Sequence, residues 1–178
     1  LPILRTMFAS KAFYQPEVIC CQIKSPVQLL VGTIRQLNLE MPSERAMAGA
    51  LNQMGQVPFM PPNVKGWPGG RQWISTSTMF VRYNTCVWLA GGSGQFATMN
   101  LRGKFSGIAK GGDTGFHAET GNTPQAVVDD WITRLVGRPI DADKRQILID
   151  SLDGRPGSED EVRKMVQLLV STPDYQLC

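Results

Sequence analysis

His117 is the sole histidine of this 178-residue chain, and it stands near Asp113 and Glu119. An imidazole beside two carboxylates could hold a cation or pass a proton, so Asp113, His117 and Glu119 are the candidate metal or proton-relay set. A second group, Asn63, Lys65, Trp67, Arg71 and Trp73, falls within the run PPNVKGWPGGRQW. Two indoles could stack on a sugar or on a partner's proline, with one amide and two cations adding polar definition. Each group also has a simpler reading. His117 is then a solvated loop residue, and the indoles pack between helices while Asn63 and Lys65 satisfy backbone groups. The simpler reading is preferred for both, because a motif without structural context is weak and large aromatics are usually buried.

Other chemistry is thinly represented. There is no GxSxG elbow, no HExxH pair and no GxxxxGK[ST] loop, and no glycine trio follows a strand signal. Paired acids occur at Asp129-Asp130, Asp141/Asp143 and Glu159-Asp160-Glu161. Each pair sits near an expected helix start or an exposed face, where a carboxylate complements the helix dipole. The four cysteines, Cys20, Cys21, Cys86 and Cys178, lack CxxC spacing and read as small buried hydrophobes. A bridge from Cys20 or Cys21 to Cys86 stays open as the alternative. No residue is assigned a catalytic role, and no cofactor is expected.

Charge is distributed unevenly. Residues 1–122 hold 11 Lys/Arg against 5 Asp/Glu, whereas residues 123–178 hold 7 against 10. The two portions could dock through this contrast, or the basic one could face an anionic partner. The cations are scattered singly, without the clustering and interleaved aromatics of a nucleic-acid surface, so no nucleic-acid partner is expected. No apolar run reaches the roughly 18 residues of a spanning helix.

The elements that must position these residues are helical. A short helix is expected over 2–9, followed by a stretch interrupted at Pro16. Ser25-Pro26 caps a helix whose apolar stripe is Val27, Leu30, Val31, Ile34 and Leu37. Ser43 opens another, with Met47, Ala50, Leu51 and Met54 inward and Gly55 as its stop. A further helix from Thr76 is expected to carry Met79, Phe80, Tyr83 and Val87 and to end at Gly91-Gly92, with Ser75-Thr76-Ser77-Thr78 offering hydroxyls to cap its amides. Thr123-Pro124 opens a helix carrying Val127, Val128, Trp131, Ile132 and Leu135, residues 141–152 form a short one with Ile147, Leu148 and Leu152, and the Ser158 capping box opens one whose buried stripe is Val162, Met165, Val166 and Leu169. The fold class is mainly α, an irregular helical array with long Pro/Gly-rich loops and little or no sheet. Three parts are distinguished: a helical region 1–90 carrying the PPNVKGWPGG loop, a glycine-rich segment 91–122, and a helical hairpin array 123–178.

Three stretches carry a family resemblance: SKAFYQPEV with IKSPVQLLVGTIRQL, then LNQMGQVPFMPPNVKGWPGGRQWISTSTMFVRYN, and the closing VQLLVSTPDYQ. Together they resemble the C-terminal part of a bacterial family of unknown function, the one numbered eighteen hundred. The resemblance covers residues 1 to about 90 and returns over 124–177, leaving 91–122 as an expected insertion. It implies a largely helical, exported protein usually well over twice this length, located in the periplasm or cell envelope. It brings no established catalytic residue. The chain starts Leu1-Pro2-Ile3 without an initiator Met or signal segment, and is therefore read as a piece of something longer.

The leading functional expectation is a non-catalytic structural or assembly module, acting by protein–protein contact in a bacterial envelope or exported complex. The alternative is a carbohydrate- or metabolite-handling enzyme, its site lying between the Trp67/Trp73 loop and residues 111–119.

Overall fold

A computed structural model describes residues 1–15, 17–39, 41–91, 123–152 and 159–178. Residues 92–122 of the glycine-rich segment, and with them Asp113, His117 and Glu119, lie outside the described residues, as do Pro16 and the Ser158 cap. Among the described residues the chain is helical, with α1 at Pro2–Ala9, α2 at Pro26–Gln36, α3 at Glu44–Gln53 and α4 at Thr76–Leu89. Then come α5 at Pro124–Leu135, α6 at Ala142–Asp150 and α7 at Glu159–Val170. Short 3₁₀ turns occupy Lys11–Tyr14, Gly70–Trp73 and Pro173–Gln176. The only ladder-like pairing among them is one antiparallel bridge between Ile23 and Leu177. The mainly helical expectation holds.

Local chemistry explains the starts. Ser25 accepts from the Gln28 amide while the Gln28 side chain accepts from the Ser25 amide, a complete capping box ahead of Pro26. Ser75 and Thr78 repeat that box at α4, and Ser43 and Thr123 cap α3 and α5. After α3, Gly55 takes φ 86°, the left-handed stop that glycine adopts without a Cβ clash.

One buried cluster joins both ends of the described chain. Leu29, Leu30 and Ile34 of α2 and Ala50 and Leu51 of α3 meet Cys86 and Leu89 of α4, Trp131 and Leu135 of α5, Leu148 of α6, and Met165, Val166 and Leu169 of α7. The stripe expected on α7 and the apolar series of α5 are all buried. Three helices differ in detail. On α2, Val31 is exposed while Leu29 and Thr33 are inside, and on α6 Ile147 is exposed while Ile149 is inside.

On α4 the apolar residues do not mark the inward face. Phe80 and Tyr83 face solvent, and the inward side is Arg82, Thr85, Cys86 and Leu89. An apolar-periodicity argument cannot find this face, because its central residue is a cation and its neighbours are small and polar. That buried arginine organises the site described next.

Candidate functional site

The five loop residues singled out from the sequence do not converge. Trp73 is buried and Trp67 half-buried, while Asn63, Lys65 and Arg71 are exposed. Asn63 Oδ1 accepts from the Lys65 backbone N–H at 2.8 Å, a local turn that satisfies a backbone donor. Gly66, Gly69 and Gly70 take φ of 84°, 71° and 56°, so the loop follows a path that side chains with a Cβ would strain. No hydrogen bond, ion pair or ring contact joins the five side chains to one another among the described residues. The acids fare similarly. Asp129 grips Arg145 through two bonds of 2.6 and 2.7 Å, and Asp141 caps α6. Beside Arg145, Asp129 is held below the ordinary carboxylate range, chiefly by that hydrogen bond.

The chemistry that does converge is cationic and sits at the Ile23–Leu177 bridge. Backbone bonds tie Gln22 to Cys178 in both directions, at 3.1 and 2.8 Å, and Lys24 N donates to Gln176 O at 2.9 Å. Lys24 is buried. Its ammonium donates to Tyr175 O at 2.7 Å and lies 3.8 Å from the centre of the Tyr175 ring. From the other side comes fully buried Arg82, donating through Nη2 to Lys24 O at 2.7 Å and through Nε to Gln176 Oε1 at 2.9 Å. Arg82 Nη1 is buried with no hydrogen-bond partner among the described residues. The Tyr175 hydroxyl reaches Thr33 Oγ1 at 2.8 Å and donates to Gln36 Oε1 at 3.0 Å, tying the same turn to α2.

Two buried cations thus share one polar knot, and no side-chain carboxylate bonds to either among the described residues. Burial lowers the pKa of both from their ordinary values. The Cys86 thiol beneath them is pushed up to about 11, mainly by desolvation, with Thr33, Arg82 and Lys24 opposing. It is neutral at physiological pH and is not a poised nucleophile. All four cysteines are free, so neither bridge to Cys86 forms; Cys20 Sγ instead lies 3.7 Å from Val136 O.

A pH prediction follows from Cys86. An unfolded thiol ionises near 9 and the buried one near 11, so the unfolded state holds fewer protons between those values. Cys86 therefore stabilises fully below pH 9, and about 2–3 kcal/mol is lost as pH rises to 11. Tyr175, also raised by burial, adds loss in the same direction above 10. Lys24 works oppositely: its lowered folded pKa makes stability rise with pH up to 10.5. Urea midpoints of wild type and Cys86→Ala across pH 8–10.5 isolate the thiol. The variant should show the shallower alkaline decline, and parallel curves would refute the assignment.

A third surface escaped the sequence reading. Helix α1 has no buried residue, and Leu1, Ile3, Leu4, Met7 and Phe8 are all exposed. Phe8, Phe13 and Tyr14 form an edge-to-face chain at 5.1 and 5.2 Å, also exposed. The apolar residues of α1 were visible in the sequence; that they cover none of this chain's core was not. No helix among the described residues is long and apolar enough to cross a membrane.

No curated protein and no solved structure shows significant similarity to this chain. One family model does match, over residues 1–177, a span that includes the 91–122 segment expected to be an insertion. With the helical architecture and the PPNVKGWPGG loop in place, that match settles membership: the chain belongs to the family described as "Protein of unknown function (DUF1800)".

Proposed function

We propose that this chain is a non-catalytic assembly module that docks onto another protein through its apolar N-terminal arm, in a bacterial envelope or exported complex. The observation that carries this reading is α1. Eight residues form a helix without a single buried side chain, though Leu1, Leu4 and Phe8 fall at the i, i+3, i+7 spacing of groove-binding helices. Burying a side chain of this kind contributes about 1.5–3 kcal/mol, so a few anchors suffice for stable docking. The arm's charges, Arg5 and Lys11, are both positive, and residues 1–15 contain no acid. The partner surface is accordingly an apolar groove with an acidic rim.

The test is native mass spectrometry of the complex purified from the host with tagged chain, beside the double variant Leu4→Asp/Phe8→Asp. A partner at fixed stoichiometry should vanish in the variant while its melting temperature stays within about 2 °C, as surface changes allow. A wild-type chain isolated as a 19.6 kDa monomer would overturn the proposal. So would a variant that keeps its partner.

A further inference from the structure

Beside the cationic knot, α2 forms the floor of an open cleft of about 480 Å³, lined by Lys24, Gln28, Gly32, Arg35, Gln36 and Cys178. Gln28, Gly32, Arg35 and Gln36 share one helix face because they recur every three or four residues. Gly32 makes the depression. A Cβ built there meets nothing within 4 Å, so the space above it is empty because the side chain is missing.

The polarity of this lining is one-sided. Gln28 Oε1 is committed to the Ser25 amide at 2.8 Å, and Gln36 Oε1 accepts from the Tyr175 hydroxyl at 3.0 Å. Each glutamine is left with its NH₂ group, a pure donor. Lys24 gives one hydrogen to Tyr175 O and has no other acceptor among the described residues. The Arg35 guanidinium has neither an ion pair nor a side-chain hydrogen bond among them. Among the described residues no acidic side chain lines the cleft. Next to it Arg82 adds a third positive charge, fully buried, with no partner for Nη1 among the described residues. Buried charges are normally paired, and among the described residues this knot holds two cations without an acidic side chain.

We propose that the cleft binds a small dianion of the phosphate-monoester class, with its oxyanion held by Arg35 and Lys24 and flanked by the Gln28 and Gln36 amides. Two lining cations balance two negative charges, and Arg's planar fork suits phosphate oxygens. The volume exceeds what bare phosphate fills and lies within the range of small-molecule sites, so the ligand carries a body beyond its phosphate. The inference is independent of the α1 docking reading, which uses none of these residues.

Inorganic phosphate is the probe, added to the full chain in a phosphate-free buffer at pH 7.5 with sodium chloride holding ionic strength constant. The thermal midpoint should rise with phosphate concentration and not with matched chloride, as linkage requires of a ligand for the native state. Calorimetric titration of two variants locates the effect. Arg35→Gln should weaken phosphate at least tenfold. Gly32→Leu should abolish binding without lowering the melting midpoint, since it fills open space and removes a glycine from a helix interior. An equal rise in chloride, tighter binding of succinate than phosphate, or wild-type affinity in either variant would overturn the proposal.

Discussion

Arg82→Ala is expected to cost about 3–5 kcal/mol of folding free energy, because two charge-assisted bonds are lost and their acceptors stay buried. The argument rests on what Arg82 joins. Its guanidinium ties α4 to Lys24 O on one side of the Ile23–Leu177 bridge and to the Gln176 side chain on the other. Alanine strands both acceptors and leaves a void at a position that is fully buried. Arg82→Met separates the two effects. It keeps most of the volume and removes an unpaired cation, so it should cost less than alanine even though the same acceptors lose their donor. Urea midpoints at pH 7 decide the matter. A methionine variant at wild-type stability beside a costly alanine variant would mean that the arginine only fills space, and an alanine variant within about 1 kcal/mol of wild type would refute both contributions.

Trp131→Ala should be comparably severe, at about 3–5 kcal/mol for an indole removed from a packed interior. Trp131 is buried on α5, in the same cluster as Leu29 of α2, Leu89 of α4 and Val166 of α7. Helices on either side of the 92–122 segment therefore share one core, and the damage should not stay local. Far-ultraviolet dichroism, which reads all the helices, and fluorescence from Trp67, Trp73 and Trp88 should report the same lowered midpoint. If the fluorescence of those three held its wild-type transition while helicity fell earlier, the C-terminal helices would be unfolding on their own.

These two residues also show where sequence reasoning succeeds and where it stops. The face that buries Trp131 was legible in the sequence, since Val127, Val128, Trp131, Ile132 and Leu135 recur at the spacing of one helix face. Arg82 was not. It is the sole charged residue of α4, and the apolar residues around it trace no stripe that includes it. The glutamines of the cleft were equally silent. Gln28 and Gln36 become pure donors only because Ser25 and Tyr175 occupy their oxygens, and Tyr175 is far away in the chain.

What the sequence determined by itself was local: capped helix starts, the glycine stop after α3, the buried faces of α5 and α7, and the improbability of sheet. Those depend on contacts within a few residues, where side-chain type and spacing settle the free energy. The tertiary structure alone decided which polar groups lost water and which apolar ones kept it. Lys24 and Arg82 are buried because a C-terminal turn folds back over residues 23–24, a contact about 150 residues long in the chain. Phe80, Phe8 and Leu4 stay exposed because no described helix packs over them. Burial is a property of the assembled surfaces, and no single segment carries it.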